Sequence, residues 1–268
     1  MKKYWAFIFY LAIITLFSCN GGNKGNTASA TDETTGKESF ETTVFEFNDT
    51  TKLVEESPQS PTLVINISLP VIKAKNSNVT ENANRAIAYT LFENNEDPLP
   101  VACKKYADSL KELYNEQLPY YHNLGETDTP AAFFNNYCII NAEAKSGYKG
   151  IINYIIYLEE YSGGAHPNSY YTVLNFDPKS GEEILLESIF KPGYEEELTK
   201  AIKTALENDG NLSEHFNEEK IEEVYISNNF ILEKEQITFV YNKYDISYYA
   251  AGDIFVNIGY DKLKHILK

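Results

Sequence analysis

No residue before Phe40 is expected to join a globular core. The chain opens on Lys2 and Lys3, continues as the apolar run Tyr4–Phe17, and passes through Ser18 to Cys19. That run falls short of the roughly 20 residues needed to cross a bilayer as a helix. Its order, basic then apolar then small, is that of a secretory leader, with residues 1–18 removed at the cut. A single membrane-spanning helix is the competing reading of the same run. Residues 20–39 (NGGNKGNTASATDETTGKES) are Gly, Asn, Thr and Ser with little apolar content. Residues 19–39 therefore read as a flexible tether, with a reach of roughly 25 Å root-mean-square.

Cys19, placed directly after a small residue, resembles the cysteine of a bacterial lipobox, whose thiol is acylated and becomes the new N-terminus. This makes Cys19 the expected lipidation site and the membrane, through that lipid, the expected anchor. The compartment is then the cell envelope. Asn20 follows with no acidic cluster after it, which argues against the outermost face and for a periplasm-facing protein. The chain holds 39 acidic against 23 Lys and Arg residues, a net charge of −16, and loss of Lys2 and Lys3 makes the remainder more negative still. Such a surface repels nucleic acid, so no nucleic-acid partner is expected, and it attracts cationic ones. Acidity that only keeps a secreted protein soluble is the plainer account. Cys103 falls in a helical pattern and Cys138 in a strand pattern, so the two either bond in an oxidising compartment or stay as buried thiols. No Cys-x-x-Cys or His-rich tract suggests a metal, and no cofactor is expected.

From Phe40 onward apolar and polar residues alternate. Thr43–Phe47 and Leu63–Pro70 read as strands. Asn78-Val79-Thr80-Glu81 has the form of a helix N-cap with an acid three residues on. A second helix is expected over about Leu99–Leu118, where Cys103, Tyr106, Leu110 and Leu113 recur at three and four residues. Ala132–Ala144, Tyr148–Tyr161 and Ser169–Phe176 read as strands joined by turns, Asp177-Pro178-Lys179-Ser180-Gly181 as the next turn. A third helix is expected at Tyr194–Glu207. Late strands follow at Phe230–Leu232, Ile237–Tyr241 and Ile254–Gly259. Strands and helices come in groups without βαβ alternation, which predicts an α+β fold of two small subdomains of antiparallel sheet packed with helices, at 40–165 and 166–268.

Three stretches together carry a resemblance: Tyr161-Ser162-Gly163-Gly164-Ala165-His166-Pro167-Asn168, Asn175–Gly181, and Tyr244–Gly252, with the closing Val256–Tyr260. In that order they resemble the PdaC/RsiV-like extracellular module, over roughly residues 60–268. The module pairs two domains of unknown function and occurs in a lysozyme-sensing anti-sigma factor and beside a peptidoglycan deacetylase domain. The resemblance implies an envelope binding protein whose ligand is a lysozyme-like protein or a peptidoglycan-related molecule. The sigma-binding segment and the metal-dependent deacetylase domain of those relatives have no counterpart here. Where family members often have a proline before the tyrosine, this chain has Tyr248 before Tyr249.

The residues themselves single out His166, which follows two glycines and precedes a proline that holds it extended. A histidine so placed can contact a ligand, work as acid or base near neutral pH, ligate a metal, or bond the neighbouring backbone and fix the hairpin. Tyr161, Gly163, Gly164, His166, Tyr248 and Tyr249 form the expected ligand-binding set, provided the two loops that carry them meet. Packing between sheet and helix is the alternative use of the tyrosines. No nucleophile elbow, His-Glu-x-x-His or phosphate-cradling loop occurs, so no catalytic residue is assigned and the chain does not read as an enzyme. A peptidoglycan-modifying or accessory role, motivated by His166 alone, and a purely structural envelope role stand as alternatives.

Overall fold

The computed structural model describes residues 40–123, 131–210 and 221–268. The expected leader, Cys19 and the tether lie outside them. Five strands form one sheet in the order β1 (Phe40–Lys52), β2 (Thr62–Ala74), β3 (Asn136–Ser146), β4 (Ile152–Tyr161) and β5 (Asn168–Phe176). Every neighbouring pair is antiparallel except β2 and β3, which are parallel. Parallel neighbours need a long crossover. Here it contains α1 (Ser77–Phe92), α2 (Leu99–Asn115) and α3 (Leu118–Asn123). The cap of α1 is Asn76, whose side chain accepts from the Asn78 amide at 3.0 Å. It stands two residues before the Asn78 that the sequence pattern favours.

The two longer helices cover one face of this sheet. Val79, Ala83 and Ile87 of α1 and Ala102, Cys103, Ala107 and Tyr114 of α2 share a core with Leu63, Ile65, Ile67 and Leu69 of β2. Ile152, Tyr154, Ile156 and Leu158 of β4 extend the same layer. Side chains on a strand alternate between faces, so each of these strands sends every second residue to the helices. Cys103 and Cys138 are buried here as free thiols. Burial pushes them up to about 12 and about 11, which keeps both protonated.

A second, antiparallel sheet is built from β6 (Phe230–Leu232), β7 (Gln236–Tyr241) and β8 (Ile254–Gly259). The stretch before it holds a single helical turn, α4 (Leu186–Ile189), and α5 (Glu195–Asn208). Leu198, Ile202 and Leu206 of α5 pack on Leu232, Ile237, Phe239, Tyr241 and Val256. Glu195, Glu196 and Glu197 occupy the first turn of α5, where the helix dipole favours negative charge.

The two sheets meet through the face of β4 and β5 that the helices leave free. Ile155 and Val173 touch Ile231 and Val240. Around this small apolar contact, asparagines bond to backbone across the interface. Asn153 donates to the Leu232 carbonyl and accepts from the Leu232 amide, both at 3.0 Å, and Asn175 donates to the Phe230 carbonyl at 2.8 Å. In return, Asn229 accepts from the Val173 amide at 2.7 Å and Asn242 from the Tyr171 amide at 2.6 Å. Both also donate to the Tyr171 carbonyl. β5 and β6 are terminal strands of their sheets, so each sheet supplies side chains that satisfy the other's edge backbone. At Gly147 any Cβ would overlap the Leu232 carbonyl and the Asn153 amide, so glycine alone lets the turn before β4 pass here.

The α+β class holds, with one parallel pair in an otherwise antiparallel arrangement. The first sheet runs on to Phe176, past the boundary expected between residues 165 and 166, and the described residues fall in one compact unit. The turn after β5 is fixed by Asp177, whose side chain accepts from the Lys179 and Ser180 amides at 2.7 and 2.9 Å. Asn76 and Asn82 of the α1 region bond to its carbonyls.

Candidate functional site

The two loops named from the sequence lie against each other. The first, residues 162–167, joins β4 to β5. Its Gly163 and Gly164 have φ of +97° and +111°, the left-handed region that a side chain disfavours. Tyr161 donates its hydroxyl to the Gly164 carbonyl at 2.8 Å, closing the loop on itself. His166 is exposed, with Nδ1 3.1 Å from the Pro167 carbonyl oxygen. Its ring stacks on Tyr249 of the other loop, with centroids 4.4 Å apart and planes 29° from parallel.

The second loop, residues 242–253, joins β7 to β8 and is pinned at its base. Lys243 Nζ contacts Asp253 Oδ2 at 3.0 Å and donates to the Ser169 hydroxyl of β5. Asp245 accepts from the Asn242 amide at 2.7 Å. Tyr249 starts a single 3-10 turn, and Tyr244, at φ 73°, brings its ring to 5.7 Å from that of Tyr249. Lys243 thereby ties the second loop to the start of β5 while its ammonium lies 6.0 Å from the Tyr249 ring.

Beside the loops, the outer face of the first sheet carries a second group of aromatics. Tyr137 and Tyr161 stack at 5.9 Å, Tyr157 and Tyr171 lie 5.0 Å apart, and Tyr171 meets Phe255 edge-on at 5.3 Å. The Glu159 carboxylate accepts from the hydroxyls of Tyr137 at 2.9 Å and Tyr157 at 2.6 Å. Burial first, and then these bonds to Glu159, push both phenols up to about 12, so they stay neutral donors across the physiological range. Phe133, Tyr170, Tyr244, Tyr248 and Phe255 remain exposed in the segments around this end. The backbone carbonyl of Phe133 also lies against Gly163.

All six expected ligand-binding residues therefore lie in loops or strand ends that adjoin one another. Tyr161 bonds to Gly164 and His166 stacks on Tyr249 in this cluster, Gly163 and Gly164 set its backbone, and Tyr248 is exposed. Sequence reasoning did not single out Tyr137, Tyr157, Glu159, Lys243 or Asp253. The spacing of Tyr157, Glu159 and Tyr161 on one face of a strand was the available signal, but Tyr137 joins them only through the register of β3 on β4. Among the described residues no three of His, Cys, Asp and Glu converge as metal ligands. What the arrangement offers chemically is flat rings, neutral phenols and one carboxylate. One concavity elsewhere in the fold is lined by Tyr148, Glu183, Ile189 and Lys268.

Residues 187–261 match the family model described as a protein of unknown function, DUF3298. No curated protein matches the chain. A crystal structure of a DUF3298 family member from Bacteroides fragilis is similar at 26% identity with a TM-score of 0.75, covering 87% of this chain and 96% of that one. A DUF3298 family protein from Pseudomonas aeruginosa shares the fold at 16% identity and a TM-score of 0.54, covering 85% of this chain and 95% of its own. The matched residues run from α4 to the end of β8 and include the Lys243–Asp253 loop.

Proposed function

We propose that the chain is a binding module held in the cell envelope by an acyl group on Cys19, facing the periplasm, and that the joined loops 162–167 and 242–253 grip its ligand. The observation that carries this reading is the stack of His166 on Tyr249, which makes one aromatic surface from two loops far apart in sequence. Exposed tyrosines give large, rigid contact area at low entropic cost, which is why they recur in recognition surfaces. The net charge of −16 favours a cationic protein such as a lysozyme-like muramidase, and the PdaC/RsiV-like signature supports the same partner. A peptidoglycan glycan stacking on the rings is the other ligand of this class.

The test uses the full chain in mild detergent, offered to immobilised lysozyme and, separately, to sedimented peptidoglycan. Retention on either that drops in Tyr249→Ala supports the proposal, and salt sensitivity assigns the ligand to the protein. Retention on neither overturns it.

A further inference from the structure

The small sheet covers only part of the large one. It lies on β4 and β5, where Ile155 and Val173 meet Ile231 and Val240, whereas Asn66 of β2 and Asn141 of β3 remain exposed on the same outer face. Glu159 lies on β4 two residues beyond Tyr157, whose ring meets Tyr171 and, through it, Phe255 of β8. Across the strands its register neighbours are Ile139 and Ser169. Along β4, Tyr157 and Tyr161 flank it, and the Tyr137 ring leans in from β3.

Glu159 is only half-buried and has no ion-pair partner among the described residues. Lys243, which reaches the neighbouring Ser169, is paired with Asp253. Its oxygens each accept one tyrosine hydroxyl, which fixes the carboxylate in place and leaves further lone pairs available. A fixed anion walled by aromatic rings is the environment that a planar guanidinium satisfies twice, by charge-assisted hydrogen bonds and by stacking. We infer that Glu159 receives an arginine side chain of the bound partner. This rests on the reading of the joined loops as the ligand surface, and it makes that ligand a protein.

The experiment is a calorimetric titration of the full chain with a hexa-arginine peptide and with its hexa-citrulline counterpart, which keeps the shape and removes the charge. Glu159→Gln is compared with Glu112→Gln, which deletes the same charge from an exposed position on α2. The expected result is an affinity for hexa-arginine lowered about tenfold in Glu159→Gln alone, with little binding of hexa-citrulline to any form. Equal loss in the two variants, or none in Glu159→Gln, overturns the inference. Tyr161→Leu, which removes the ring wall and keeps the carboxylate, is expected to lose part of the same affinity, and an unchanged unfolding midpoint shows that each variant is folded. Lysozyme retained by wild type, lost in Tyr249→Ala and unaffected by Glu159→Gln would sink only this inference. Lysozyme and peptidoglycan both unretained by wild type would sink the function proposal beneath it.

Discussion

The two faces of β4 show what a single strand can be asked to do. Toward the helices it sends Ile152, Tyr154, Ile156 and Leu158 into a continuous apolar layer. Toward the small sheet it sends Asn153, Ile155, Tyr157 and Glu159, only one of which is an aliphatic residue. The first face is held by burial, which is non-directional and tolerates repacking. The second is held by hydrogen bonds to backbone, which are directional and fix one register. Stability and alignment are thus divided between the sides of one sheet.

Breaking the helix side is expected to have the largest effect. Ile67 is 1% exposed, and Ile67→Ala should lower unfolding free energy by about 3 kcal/mol through lost burial plus a cavity. Chemical denaturation measures this, and a loss below about 1 kcal/mol would mean the layer collapses around the gap. On the other side, Asn153→Ala leaves the Leu232 amide and carbonyl without partners and should cost about 2 kcal/mol. Hydrogen exchange at Leu232 should rise in that variant. Unchanged exchange would show that water replaces the asparagine and that the interface is less specific than its geometry suggests. The smallest effect is expected for Tyr154→Phe. The Tyr154 hydroxyl is buried among the helix-side residues with no partner among the described residues, so its removal should leave stability unchanged or slightly raised, within about 0.5 kcal/mol. A clear destabilisation would reveal a hidden polar contact on the side described as apolar.

Local patterns explain why so much was legible beforehand. The periodicity that marked a helix at Tyr194–Glu207 is realised in α5 at Glu195–Asn208, because three glutamates favour its start and Leu198, Ile202 and Leu206 line one side. The alternation at Ile254–Gly259 is realised residue for residue in β8. The strand patterns begin at Ala132 and Tyr148, ahead of β3 and β4, because single 3-10 turns at Ala131–Phe134 and Tyr148–Gly150 precede those strands. Short turns have no period to read. The parallel pairing of β2 with β3 was also invisible, since it depends on where a long helical crossover returns the chain. Of the candidate surface, His166 and Tyr249 were visible as loop residues, but Glu159 was not, because its importance comes from Tyr137 on a neighbouring strand. The asparagines were the overlooked clue. Asn153 and Asn175 interrupt apolar strand sequence where asparagine is disfavoured, and such an interruption signals a polar group with a fixed partner.

The reciprocal asparagine bonds have a consequence for any attempt to express the halves separately. A fragment ending at Phe176 would carry a strand rim whose amides and carbonyls had lost the side chains of Asn229 and Asn242, and a fragment starting after it would bare the rim of β6. Unsheltered rims of that kind recruit further chains. Each half is therefore the other's protection against self-association, and the pair should be handled as one folding unit.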